Sequence, residues 1–540
     1  METNETIQRI MPAVIPVWDE FDPASYTANT TYMVTSIRGL SNFTFSQANV
    51  TLIFAGGRFT GTGTITGNNT TFVAPPIQVF DVGINFAGTW NMEKVYAENF
   101  DTITAMNTNA AQAINKALEF SNISGCVVQL LSKTYNITTS ITMRGNTTLQ
   151  GTIWAPDSPP SSASPSKYGT LISTSSIINM INIITNGQTA VTDIDCYRFA
   201  IKDLTLRHSG ATSTQNLGNS IYIESTNTLH PTNVDVPRTG IITNVKIRHT
   251  TVYGYAIRVI GGSYIVFENI IINGGRGVSL AGNKLQEFLY FNRVILNEVT
   301  ENSFEITHGN NIYLNEIDTN DSVIGLLINN QTGETYNVFV NRFNSVRCAY
   351  GIYMMTFNNY LTRIKVSEAS IYQELGQPKT PNSALFFTKG ISNSYIIDNC
   401  IFENINVDAI SLSNTNFRAI RDNNNVYGSR FINIKTSDKI DLHTSGNYNN
   451  QLTILGMKQG GIERPAPGSI VNNSYTFDLY ASNSPLPEKP VVLVSSNQTI
   501  PISCTTSNTQ GGKCSVTVNF SGILTSNVEI YYFCTGYFYT

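Results

Sequence analysis

The chain reads as an all-β protein: a right-handed parallel β-helix with an N-terminal capping helix and a small C-terminal antiparallel β domain. Three observations lead there. A short apolar–Asn–apolar unit returns through the middle third, at Asn244, Asn269, Asn292, Asn315 and Asn341, with spacings of 25, 23, 23 and 26 residues. A second short strand follows each unit about ten residues later, alternating apolar and variable positions. Asn supplies 61 of 540 residues, a usage that favours strands and turns over helices.

Two or three strands per period of this length mark a solenoid. Helical repeats are excluded because no unit holds a ten-residue helical stretch, and the leucine-rich consensus is absent. In a β-helix, equivalent residues of successive coils lie about 4.8 Å apart. The recurring Asn is therefore expected to form an internal amide ladder at a turn. Asp203 occupies the slot before Asn244, and Asn399 and Ser429 continue it after gaps of 58 and 30 residues. The first gap leaves room for one degenerate coil near Lys365. The second strands run from Ala256, Gly277, Ser303, Gly325, Gly351 and Ala409.

Upstream, Asn109–Asn122 places Ala113, Ile114, Ala117 and Leu118 on one helical face. This helix is expected to cap the open end of the apolar stack. Residues 125–151 then form a complete coil. The stretch Gln459–Gly468 ends the pattern, and residues 469–540 carry strand-like runs expected to form a small antiparallel domain. The domains are thus 1–95, a β-rich N-terminal region; 96–458, the helix; and 459–540. Six aromatics, Tyr531, Tyr532, Phe533, Tyr537, Phe538 and Tyr539, crowd the last segment and are assigned to core and subunit packing.

Composition excludes several functions. A net charge of −4 without basic runs argues against nucleic acid. No 18-residue apolar run exists to span a membrane. The first residues have no signal-peptide core. Seven cysteines lack metal-ligand spacing, so neither metal nor cofactor is expected. Cys504 and Cys514 bracket a Gly-Gly turn and are candidates to pair.

From Asp101 through the helix to Gly151, the chain resembles the entry of the pectate-lyase-like superfamily in its phage tail-spike and depolymerase branch. Gly125, Val127, Tyr135, Ile137, Asn146, Thr148, Leu149 and Gly151 match that pattern, while Cys126 and Leu131-Ser132-Lys133 depart from it. The segment Leu52–Phe80, followed by Gly88–Asn91, resembles what precedes this entry in such tail proteins. The calcium-binding Asp cluster and Arg signature of pectate lyases are absent. The resemblance implies a homotrimeric virion protein that attaches through its N-terminal region to a phage tail or baseplate protein. It also implies that the chain binds a bacterial surface polysaccharide and depolymerises it. A non-catalytic structural or receptor-binding tail protein is the alternative. A secreted polysaccharide lyase or glycoside hydrolase is a third reading, and the missing export signal weighs against it.

Glycoside hydrolysis needs two carboxylates about 5–9.5 Å apart. Aligning Asn292 with Asn315 puts Glu298 and Asp321 both six residues on, as rung neighbours. With Glu305 they are the candidate catalytic residues; Arg258, Tyr353 and His308 are the candidate substrate-binding residues. Rival carboxylates are Glu403 with Asp408, and Glu368 with Glu374. Arg207-His208 above Arg248-His249 is expected to form a cationic patch. An outward column of Tyr222, Arg258, Ser279, Glu305, Leu327, Tyr353 and Ser411 is expected to face either glycan or, preferentially, a second subunit.

Overall fold

A computed structural model describes residues 14–17, 26–154, 169–185, 196–209, 218–225, 236–250 and 254–374 (apart from 283, 285, 332 and 358–359). It further describes 382–389, 397–410, 417–423, 426–436, 440–442, 453–463, 465, 470–482, 491–496, 502–509, 513–521, 528 and 530–539. The chain divides into two compact units, residues 1–257 with 262–266, and residues 258–261 with 267–540. Both are built from parallel coils, so the parallel β-helix is the observed fold.

The first unit opens with a solenoid that the sequence reading does not resolve. Strands β1 (Thr31–Val34), β2 (Thr51–Phe54) and β3 (Thr64–Val73) pair in parallel, Thr31 beside Thr51 and Thr51 beside Thr71. Its 20-residue period follows Asn29, Asn49 and Asn69, each at positive φ. These are bends where Asn is tolerated because its short amide bonds locally. Asn49 Nδ2 donates to Asn29 Oδ1 at 2.8 Å.

Helix α1 (Ile103–Asn109) is capped by Thr102, whose hydroxyl accepts from the Ala105 amide. Helix α2 (Ala111–Ser124) buries Ala113, Ile114, Ala117 and Leu118 as expected and ends at Gly125 in the left-handed region, φ 73°. It caps the first long coil and also covers the short solenoid before it. Phe120 is fully buried and lies 5.4 Å from Phe72, 4.9 Å from Phe86 and 5.3 Å from Trp90. One face of α2 therefore seals the aromatic core of the short solenoid. The other packs on the first long coil, where Asn115 bonds to Ser140 O and Thr142 N. That coil is complete: Val127 pairs with Thr148 one turn later. Beyond it, β4 (Ala200–His208) and β5 (Arg238–His249) pair in register, Arg207 beside Arg248 and His208 beside His249.

The second unit carries two parallel sheets. One contains β6 (Gln286–Asn297), β8 (Gly309–Asn320), β10 (Thr335–Val346) and β12 (Leu361–Glu374); the other contains β7 (Asn302–Ile306), β9 (Ile324–Asn329), β11 (Tyr350–Thr356) and β13 (Ser383–Lys389). Strand β12 is the degenerate coil, with Ser367 in register with Asn341. Period-two alternation buries Phe291, Leu314, Val340 and Val366 and turns Tyr290, Tyr313, Phe339 and Lys365 outward.

The Asn slot needs correction. Asn244 and Asn269 sit in the left-handed region at φ 54°, but in later coils Arg293, Glu316, Arg342 and Glu368 take that conformation. Asn292, Asn315 and Asn341 lie one residue earlier and point outward, half-exposed or exposed. The ladder forms on the outside: Asn341 Nδ2 donates to Asn315 Oδ1 at 2.9 Å. Asn399 and Ser429 belong to other columns, because Glu403 is the residue that pairs with Ser367. The strand expected at Ala409 is also displaced. Residues 406–410 pair with β12, and Arg418–Asp422 pairs with β13, setting Arg421 beside Phe386. Ser411 lies outside the described residues.

At the C-terminal end, strand β14 (Thr453–Glu463) runs through the expected boundary at residue 459. It pairs in parallel with Arg430–Ile432 and antiparallel with β15 (Ile530–Tyr539). The antiparallel strands therefore extend the helix sheets and do not start afresh. The side chains of residues 531–539 lie outside the described residues. Cys504 pairs across the ladder with Val518 and Cys514 with Asn508, so the two cysteines do not face each other.

Candidate ligand-binding face and carboxylate corner

Glu298 and Asp321 occupy one corner column. The Asn297–Asn320 register and the Glu298 N–H to Asn320 O bond (3.0 Å) place them on adjacent rungs, at φ 54° and 58°. Arg347, φ 54°, is the next residue of the column. Its Nε and Nη2 each donate to Asp321 at 2.7 Å. This pairing with Asp321 raises the Arg347 pKa above its ordinary value. Glu298 is exposed and makes no side-chain hydrogen bond or ion pair among the described residues. The corner thus holds one locked carboxylate and one open carboxylate.

The remaining sequence candidates do not converge there. Glu305 lies mid-strand in β7, in a column with Ser279, Leu327, Tyr353 and Phe386. Arg258 reaches the same face, since Ala281 N–H bonds to Val259 O at 2.9 Å. Tyr353 clusters with Tyr350 and Phe386, ring centroids 5.2 and 4.8 Å away, and burial pushes its phenol up to about 12. Leu327 and Phe386 are only 8% and 9% exposed although they point outward.

His308 sits beyond the far end of β7, away from Glu298. Its Nδ1 is 2.7 Å from Gly282 O, and a methyl group on Gly333 would strike the ring at 2.7 Å. Burial lowers its pKa despite the Gly282 carbonyl and the nearby Glu334. These contacts make it a brace between stacked loops.

The rivals are also separated. Lys365 Nζ lies 2.6 Å from Glu403 and Ser367 Oγ donates to the same carboxylate at 2.7 Å. Those two bonds, Lys365 first, hold Glu403 below the ordinary carboxylate range. Asp408 is exposed and pairs with Tyr372, not with Glu403. Glu368 reaches Arg342 at 3.6 Å. The expected His208–His249 cationic patch is absent. Both rings point inward, 1% and 0% exposed and stacked at 4.9 Å, so only Arg207 and Arg248 turn outward.

The feature that sequence reasoning missed is the outward face of β6, β8, β10 and β12. Tyr290, Tyr313 and Phe339 stack over three rungs, centroids 4.8 and 5.1 Å apart and interplanar angles 7° and 15°. Beside them runs the Asn292–Asn315–Asn341–Ser367 column. Next come Arg293, Glu316, Arg342 and Glu368, joined by ion pairs of 3.1, 2.5 and 3.6 Å. Further amide contacts flank the face: Asn337 to Asn310 and Asn311, Asn344 to Asp318, and Asn320 to Asn297. The sequence signal was present, as aromatics two residues before each Asn. The face spans about 14 Å along the stack at the usual strand spacing. Such a surface offers a ligand ring edges, hydroxyls, and amide donors and acceptors. Among the described residues, no group of three His, Cys, Asp or Glu gathers to hold a metal ion.

No family model matches the chain, and no curated protein matches it. Among solved structures, it is similar to the tailspike gp49 of Acinetobacter baumannii bacteriophage Fri1, a capsular polysaccharide depolymerase. The identity is 13% over 83% of this chain and 88% of that one, with a TM-score of 0.36. It is similar to the mannuronan C-5 epimerase AlgE6 A-module of Azotobacter vinelandii, at 13% identity over 67% and 98% of the two chains, TM-score 0.37. The Streptococcus pneumoniae surface adhesin PfbA is also similar, at 10% identity over 68% and 90%, TM-score 0.41. Its structural neighbours are tailspikes and other parallel β-helix proteins.

Proposed function

We propose that this chain is a tailspike-like receptor-binding protein of a bacteriophage that lays a bacterial surface polysaccharide across the face of β6, β8, β10 and β12. The observation that carries the reading is the stacked Tyr290–Tyr313–Phe339 row flanked by outward amide ladders. A solenoid needs none of these groups outside for its own core, which is filled by Phe291, Leu314 and Val340. An extended glycan needs repeated donors, acceptors and apolar edges at a regular spacing. The protein is a homotrimer in this reading, with residues 1–95 directed to a tail or baseplate protein. The tighter apolar cluster of Leu327, Tyr350, Tyr353 and Phe386 serves subunit contact.

Depolymerisation is the second reading, favoured by Glu298 and Asp321 on adjacent rungs. A rung spacing of about 4.8 Å is near the separation that retaining glycosidases use. The deciding experiment incubates purified bacterial surface polysaccharides with the full chain and follows reducing ends and absorbance at 235 nm. Reducing ends alone identify a hydrolase, and absorbance as well identifies a lyase. Retention without either identifies a binder, and no retention removes the polysaccharide reading.

A further inference from the structure

The charges on the proposed binding face define the class of glycan that suits it. Strands β6, β8, β10 and β12 carry four cations, Arg293, Arg342, Arg363 and Lys365, and five carboxylates, Glu287, Glu316, Asp318, Glu368 and Glu374. Each cation already has a partner. Arg293 lies 3.1 Å from Glu316; Arg342 lies 2.5 Å from Glu316 and 3.6 Å from Glu368. Lys365 lies 2.6 Å from Glu403, and the Arg363 guanidinium stacks 5.3 Å over the Tyr336 ring.

We infer that the glycan held on this face is a neutral polysaccharide, without uronate, sialate or phosphate groups. The inference rests on the polysaccharide reading above and narrows it. A polyanion brings one negative charge per repeat and needs uncommitted Arg or Lys to receive it. At Arg293, Arg342 and Lys365 it would have to displace Glu316, Glu368 or Glu403. Arg363, stacked on Tyr336, could meet an anion without that displacement, but a single cation does not serve a charge on every repeat. Hydroxyl groups face no such barrier. They match the outward amides of Asn292, Asn315 and Asn341 and the carboxylate of Asp318, which donate and accept without charge exchange. Arg–Glu pairs that hold each other also remain fixed while a neutral chain lies across them, so little side-chain freedom is lost on binding.

The test screens the immobilised full chain against purified bacterial capsular and O-antigen polysaccharides sorted into neutral and acidic sets, with alginate and polygalacturonate as defined polyanions. The expected result is retention confined to neutral glycans, with affinity changing less than about twofold between 50 and 500 mM NaCl, because no ion pair forms on binding. Glu316→Gln, which frees Arg293 and leaves Arg342 only its longer contact to Glu368, should add retention of acidic glycans that the unaltered chain lacks. Retention of acidic glycans by the unaltered chain, weakening tenfold or more with salt, overturns the neutral class while leaving polysaccharide binding intact. Retention that survives Tyr313→Ala with Asn315→Ala places the glycan elsewhere and overturns the assignment to this face. Retention of no glycan from either set removes the polysaccharide reading, and this inference with it.

Discussion

Arg347 grips both oxygens of Asp321 at 2.7 Å, while Glu298, one rung away in the same corner column, has no ion-pair partner among the described residues. Two carboxylates that the repeat makes equivalent are thereby made unequal. Asp321 is committed to structure as well as to any chemistry, whereas Glu298 is available to a ligand.

The two should separate on mutation. Glu298→Gln is expected to leave thermal stability unchanged and, if the chain cleaves its glycan, to abolish turnover. Asp321→Asn should cost about 0.5–1 kcal/mol, because the pair it breaks is partly solvated. Reducing-end assays and melting curves on both variants check this. Full turnover in both removes the corner as the catalytic site.

Buried His208 should make the first unit acid-sensitive. Burial lowers the pKa of His208 from its ordinary value of 6.5, outweighing the bond to Ile178 O at 2.9 Å. The folded chain therefore prefers the neutral ring, while the unfolded chain takes up a proton near that ordinary value. Stability is fully present above pH of about 6.5 and is lost as pH falls from there toward the lower folded-state pKa. His308 in the second unit contributes with the same sign. Melting temperature should fall on going from pH of about 7.5 to 5, and a His208→Gln, His308→Gln double variant should fall less over the same range.

The left-handed corners restrict what can replace their residues. Arg293 at φ 55° tolerates its conformation at a modest cost that a β-branched side chain would increase. Arg293→Val should destabilise by about 1–2 kcal/mol, whereas Arg293→Asn should be near neutral. Asn315→Ala, which removes only an outward amide contact, should cost less than about 1 kcal/mol. Urea unfolding measures all three; a larger loss at Asn315 than at Arg293 would return the ladder to the interior.

Phe120 ties the short solenoid to helix α2. Phe120→Ala should cost about 3–5 kcal/mol by opening a cavity among Phe72, Phe86 and Trp90. Limited proteolysis should then cut first within residues 31–91. Unchanged protection of that segment would show that α2 is not its seal.

Homotrimerisation is checked by light scattering on the purified chain. A stable monomer at micromolar concentration would count against the virion reading while leaving the glycan face testable.

Several features were legible in residue order because they are local. Period-two alternation buries Phe291 and Leu314 wherever the strand runs, and the Glu298–Asp321 alignment needed only the 23-residue repeat between Asn292 and Asn315. The helix at Ala111–Ser124 was equally clear from its apolar face. The column containing Phe386 and Arg421 was not, because chain inserted between coils resets the count.

The sequence by itself determined that coils repeat, how long most of them are and which side chains enter the core, since strand pleating and rung spacing depend only on backbone geometry. Tertiary structure alone decided which residue takes each left-handed corner, because Asn and its neighbour compete for that slot and packing of the whole coil selects between them. It also decided that Arg293, Glu316, Arg342 and Glu368 neutralise one another and that Tyr290, Tyr313 and Phe339 stack. Those contacts join residues 23–26 positions apart in the chain. They exist only once the coils are laid one upon another.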